Sequence, residues 1–271
     1  MSAPVTPDPW TALRRHTPAR IALGRTGASL PTSEVLGFAL AHAQARDAVH
    51  APFEAEAAAA AMRALGLETL IVDSAAPDRA AYLRRPDLGR ALSEAGRAAL
   101  AAQAARAPGS CDLAIVVADG LSSTAVHAHA APLVEALLPM VREAGWRLGP
   151  VVVARQARVA LGDAVGELLE ARLVILLVGE RPGLSSPDSL GAYITFAPKV
   201  GRTDAERNCV SNIRAEGLGY DAAAFKLAWH AREALRLGLT GVGLKDESDL
   251  AALQTVTPPR SVPAGSRSPT G

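Results

Sequence analysis

Cysteine is scarce: Cys111 and Cys209 are the only two in 271 residues, with no CxxC and no Cys/His cluster. That excludes a disulfide scaffold and a thiolate zinc site, and predicts reduced thiols in a cytoplasmic protein. Long apolar stretches are missing as well. The longest strongly apolar run, Leu173 to Gly179, falls far short of the roughly 20 residues that span a bilayer. The start, MSAPVTPDPW, has no basic-then-apolar signal pattern. An excess of one charge is also absent. The formal net charge is +1, which supports neither a general nucleic-acid binder nor a membrane-surface binder. Lysine is rare, with Lys199, Lys226 and Lys245 the only three among 28 basic residues. With so much Ala, this reflects composition rather than function.

Several chemical signatures are missing too. There is no GxGxxG, since GLGYDA (217–222) lacks the third glycine, and no GxxxxGK[ST] or HExxH. Dinucleotide, P-loop and zincin chemistry therefore have no support. His127 and His129 fall within an expected helix. Two positions apart, their side chains diverge by roughly 200°, which suits a surface helix rather than a shared metal.

What is present is an alternation of element types. Residues 1–9 hold three prolines and are expected as a disordered lead, and residues 10–33 carry Arg14, Arg15, Arg20 and Arg25 with no acid among them. Helical patterning covers about 34–50 and 53–65. Short β-branched runs then alternate with helices: strands over 68–74, 111–120, 149–155, 172–180 and 189–198, and helices over 89–106, from 120 to about 145, 162–171 and 220–237. This predicts an α/β fold, a Rossmann-like doubly wound, largely parallel sheet with an N-terminal helical extension. The expected division is an N-terminal arm and helices (1–66), the sheet domain (67–250) and a disordered tail (251–271).

Ligands of such folds sit beyond the carboxyl ends of the strands. Two loops fall there, DGLSST (119–124) and GERPG (179–183). The first invites comparison with a nucleophile elbow, but Thr124 occupies the second glycine position of GxSxG, so Ser122 or Ser123 is expected to cap the next helix. Glu180 has two readings from its position, a ligand contact or an ion pair with Arg181 or another Arg. Val159 and Cys209 read as filler. No catalytic set emerges.

Specific segments carry a resemblance. RRHTPARIALGRTG (14–27), YLRRPDLGR (82–90), VVADGLSSTAV (116–126), VILLVGERPGLSSPDSLGAY (174–193) and NCVSNI (208–213) resemble, in order, segments of the ethanolamine ammonia-lyase light chain. The resemblance covers about residues 10–245. It implies the small subunit of a lyase that converts 2-aminoethanol to acetaldehyde and ammonia by radical rearrangement. Adenosylcobalamin supplies the radical chemistry. It further implies a TIM-barrel heavy chain holding the substrate, with this chain closing the cofactor's other side as part of a hetero-oligomer. Since the DxHxxG segment of other cobalamin proteins is missing, the cofactor is expected base-on. The resemblance places cofactor contacts at Val159, Glu180 and Cys209, and assigns this chain no catalytic residue and no metal ligand. Some bacterial family members carry a longer amphipathic N-terminal extension associated with a microcompartment. Only about ten residues precede the first family-like segment here, so encapsulation is not expected. Two other readings remain: a non-catalytic cobalamin-binding or assembly module on the same fold, and a hydrolase using Ser122.

Overall fold

The computed structural model describes residues 5–106 and 111–249; the expected tail at 251–271 lies outside them. After a 3-10 turn at Thr11–His16 come α1 (Thr32–His50) and α2 (Ala55–Ala64). Then follow β1 (Thr69–Asp73), α3 (Arg79–Arg84), α4 (Glu94–Arg106), β2 (Leu113–Ala118), α5 (Ser123–Glu143) and β3 (Val151–Arg155). The chain continues with α6 (Leu161–Leu168), β4 (Leu173–Gly179), β5 (Leu190–Phe196), β6 (Asn208–Ile213) and α7 (Tyr220–Leu237).

The six strands form one sheet in the order β1-β3-β2-β4-β5-β6. The first three neighbouring pairs are parallel, whereas β4–β5 and β5–β6 are antiparallel. The cause is visible along each strand. All six residues of β2 and all seven of β4 are buried, the pattern of strands covered on both faces. Alternate side chains go to opposite layers. Leu113, Ile115, Val117, Leu173, Ile175 and Leu177 meet α2, α5 and α7 on one face. Ala114, Val116, Ala118, Val174, Leu176 and Val178 meet α4 and α6 on the other.

A buried ion pair ties the antiparallel edge to this frame. Arg207, just before β6, forks onto Asp163 of α6 at 2.6 and 2.7 Å and also donates to the Thr195 hydroxyl of β5 at 3.0 Å. Both charged side chains are 2% exposed.

Three details differ from the sequence reading. The helix expected over 89–106 begins only at Glu94, because the Ser93 hydroxyl accepts the Gly96 N–H at 3.0 Å, a helix-starting cap. Residues 5–9 are not loose: the Thr6 N–H donates to the Arg25 carbonyl at 2.7 Å and Arg25 returns the bond at 3.0 Å. Two of the four arginines of the arm also find an acid outside their own segment, on α1. Arg14 and Arg20 each lie 3.5 Å from the Glu34 carboxylate.

Candidate functional site

At the carboxyl ends of the parallel strands lies a cleft of about 430 Å³, lined by Tyr82, Gly120, Leu121, Arg158 and Val159, together with Val178 to Arg181 and Tyr193. A larger cavity of about 730 Å³ lies at the other end of the sheet, beside Cys111 and Gly149. The smaller one is the better candidate. It lies where the loops after β2 and β3 leave toward helices on opposite faces, the position at which open α/β sheets bind ligands, and it gathers unpaired polar groups.

Backbone contact between two loops sets its shape. The Leu121 N–H donates to the Gly179 carbonyl at 2.9 Å. A Cβ on Gly120, whose φ is +57°, would lie 2.2 Å from that carbonyl oxygen, and one on Gly179 would lie 2.0 Å from the Ser122 carbonyl oxygen. Only glycine allows DGLSST and GERPG to meet this closely.

Ser122 is wholly buried and caps α5: its hydroxyl accepts the Ala125 N–H at 3.2 Å and donates to the Pro187 carbonyl at 2.9 Å. With both roles of the hydroxyl committed, the hydrolase reading loses its nucleophile.

Glu180 enters the cleft from the end of β4. No ion pair to Arg181 forms among the described residues. Instead, the Ser189 hydroxyl donates to Glu180 Oε2 at 2.5 Å and the Asn212 N–H does so at 3.4 Å. The Glu180 N–H is held by the Ser189 carbonyl at 2.9 Å. Among the described residues nothing bonds Oε1, which leaves it as a free acceptor. Val159 brings an apolar wall from the turn after β3, half-buried. Cys209 does not itself line the cleft. It lies on β6 opposite Tyr193 of β5, and the Tyr193 ring does line it. Burial pushes the Tyr193 phenol up to about 12, and the adjoining Cys209 adds to the effect. Loss of solvent likewise raises the Cys209 thiol, although its residue still shows a face to water.

Four residues of this region escaped the sequence reading. Asp119, at the end of β2, is 1% exposed. It accepts the Ala157 N–H at 2.9 Å and pairs with Arg79 at 3.3 Å. Burial pushes its carboxyl up to about 6 despite those donors. Arg79 also donates to the Gly120 carbonyl and the Val49 carbonyl, each at 2.8 Å. Tyr82 is fully buried, with Arg79 at 4.8 Å and Arg158 at 4.5 Å from its ring centroid. Burial pushes its phenol up to about 12, so the ring meets both cations as a neutral phenol. Arg158 Nε is buried without a hydrogen-bond partner, and so is Nη2 of Arg79, each an arrangement that costs roughly 1–3 kcal/mol. The signal available in sequence was the YLRRPDLGR segment, which contributes Tyr82 and nearby Gly89.

The two helical histidines part company. His127 is exposed and accepts the Glu54 N–H at 3.2 Å. His129 corrects the surface reading: it is 6% exposed, with Nδ1 2.9 Å from the Tyr220 hydroxyl and Nε2 3.5 Å from Asp188.

Comparison with known proteins adds the rest. The family model described as ethanolamine ammonia-lyase light chain (EutC) matches residues 7–245. The ethanolamine ammonia-lyase small subunit of Ralstonia nicotianae is 57% identical over 252 residues, 93% of each chain. That of Xanthomonas campestris pv. campestris is 55% identical over 265 residues, 97% of each. The Azotobacter vinelandii small subunit is 57% identical over 251 residues, again 93% of each. With most of its length matched at these identities, the chain belongs to the ethanolamine ammonia-lyase light-chain family.

Proposed function

We propose that the chain is the small subunit of an adenosylcobalamin-dependent ethanolamine ammonia-lyase, acting with a TIM-barrel large subunit that holds the substrate. The observation that carries this is the family match over residues 7–245, with a relative 57% identical over 93% of the chain. The cleft is compatible with the cofactor in three respects. Glu180 Oε1 is an unbonded acceptor suited to the amide N–H groups around a corrin. Val159 and Leu121 supply apolar surface, and the Arg158 side chain lines the wall with no carboxylate within ion-pair distance among the described residues. At about 430 Å³ the cleft is much too small for a whole corrinoid, so this chain seats one part and a second surface must cover the remainder. The cofactor, when bound, supplies an organic radical through homolysis of its cobalt–carbon bond.

This chain's own part is binding and positioning. Glu180, fixed by Ser189, holds amide groups in place; Val159 and Leu121 keep water from one side. No residue of the cleft forms a nucleophile–base pair, and substrate chemistry falls to the partner. The exposed apolar residues Val35, Leu36, Phe38 and Leu40 of α1 give such a partner a surface to cover.

Co-expression tests the reading. The chain with a family large subunit is expected to form acetaldehyde from ethanolamine in the presence of adenosylcobalamin, and the chain alone to form none. Turnover by the single chain at the rate of the complex would defeat the subunit assignment. A complex that binds cobalamin but never turns over would favour the assembly-module reading.

A further inference from the structure

Resting on that reading of the cleft, we infer that Arg158, backed by Tyr82, recognises the phosphodiester in the nucleotide tail of the corrinoid. The starting observation is a cation held firmly but left unneutralised. The Arg158 N–H donates to the Gly89 carbonyl at 2.8 Å. A Cβ on Gly89 would come within 2.9 Å of Arg158 Cγ and 2.8 Å of the Tyr82 ring, so the bare glycine lets all three pack together. The guanidinium lies against the Tyr82 ring at 4.5 Å. Its only hydrogen bond among the described residues is a long one, 3.5 Å to the Tyr82 carbonyl.

Arg79, on the same ring, shows what a structural arginine looks like here. It has Asp119 as counter-ion and the Val49 and Gly120 carbonyls as acceptors. Arg158 has no carboxylate within ion-pair distance among the described residues, and that sets it apart, since each of the two arginines keeps one buried nitrogen without a partner, Nη2 in Arg79 and Nε in Arg158. Arg181 lines the same cleft, exposed, and no ion pair is formed by it among the described residues. Against these two cations the cleft wall offers one carboxylate, Glu180, with Oε2 committed to Ser189. The balance is one net positive charge in a partly desolvated space, which favours an anion. A guanidinium matches the oxygens of a phosphate with two parallel hydrogen bonds.

The rest of the wall narrows the choice of anion. Glu180 repels a dianion such as free phosphate, and its free Oε1 calls for N–H donors. Leu121, Val159 and Val178 add apolar surface. A singly charged phosphodiester attached to an amide-bearing, partly apolar body satisfies all three demands. The tail of a cobalamin has that chemistry.

The test uses the complex of this chain with a family large subunit, titrated by absorbance with cyanocobalamin and with dicyanocobinamide, which lacks the phosphate, ribose and base. Arg158→Gln is expected to weaken cyanocobalamin ten- to hundred-fold and leave the cobinamide within twofold. Arg158→Lys keeps the charge and loses the fork, and is expected to recover part of the loss. The salt dependence of cyanocobalamin binding should flatten in Arg158→Gln and persist in Arg158→Lys. Glu180→Ala, which meets the amides, should weaken both corrinoids. If Glu180→Ala weakens both while Arg158→Gln weakens neither, the cofactor reading stands and the phosphate assignment falls. If neither variant changes either corrinoid, the cofactor reading itself fails. Equal weakening by Gln and Lys with unchanged salt dependence would make Arg158 a packing residue against Tyr82, and overturn the proposal.

Discussion

Helices α1 and α7 are nearly the same length, 19 and 18 residues, yet they are held in opposite ways. In α7, seven residues from Ala223 to Ala234 are buried against the sheet and α5. In α1 only Ala48 is buried, while Leu36 and Leu40 are 64% and 61% exposed. Its tethers are polar: Glu34 with Arg14 and Arg20, Arg20 over the Phe38 ring at 5.6 Å, and the Arg79 bond to the Val49 carbonyl. Tertiary packing of an apolar face is what stabilises most helices in proteins. The sheet layer is therefore packed within this chain, whereas most of the apolar surface of α1 is left uncovered by it.

The sharpest test of the packed region is its buried ion pair. Asp163→Ala strands Arg207 and is expected to cost about 3–5 kcal/mol, read as a fall in melting temperature; a loss below about 1 kcal/mol would mean that the pair does not anchor the edge of the sheet. Next comes a matched pair of truncations across the two helices. Leu227→Ala in α7 should cost about 2–5 kcal/mol, whereas Leu36→Ala in α1 should stay within about 0.5 kcal/mol. Equal losses in the isolated chain would erase the distinction between the regions.

A third test uses pH. Asp119 is raised by burial to about 6, above its unfolded value of roughly 3.9. Between those values the folded state keeps a proton that the unfolded chain has released. Its contribution is greatest below the unfolded value and is lost as pH rises through about 6, a swing on the order of 3 kcal/mol. Asp119→Asn should remove that fall from a stability–pH profile; an unchanged slope would show that Asp119 does not titrate there. The smallest effect on the chain itself is expected from changing Arg14, Arg15, Arg20 and Arg25 together to Ser. Its melting temperature should move little, but co-purification with the large subunit should weaken, most at low salt where the native charges are least screened, and should depend less on salt than it does with the native chain. Unchanged co-purification at every salt concentration would remove the segment from the interface.

Much of the fold was legible because its signals were local. The buried runs of β2 and β4 are continuous in sequence, and Tyr220–Leu237 was read as α7 with the same limits. The strand β6 was missed because only Val210 and Ile213 of its six residues are buried, too little alternation to declare a strand. The six-residue α3 was missed for want of a full apolar period. The cleft was legible only in part. Its two loops followed from strand ends, Glu180 from its position after a buried strand as well as from family resemblance, and Val159 from the resemblance alone; both residues line the cleft. Arg79 and Tyr82 are neighbours on α3, but their meeting with Arg158 was invisible because it spans 76 residues from Tyr82, and nothing local says that the segment after β1 folds over the strand ends. His129 was misjudged because its burial depends on Tyr220, which belongs to a distant helix.

The antiparallel return of β5 has a consequence for how tightly anything can be held at Glu180. Because β5 starts where β4 ends, the wall is a hairpin whose own backbone and Ser189 hydroxyl grip Glu180 at both main chain and carboxylate. A free glutamate surrenders as much as about 1.5–2 kcal/mol of rotamer freedom when it is immobilised. Here that ordering is completed when the chain folds, so a ligand reaching Oε1 meets an acceptor whose entropy is already spent.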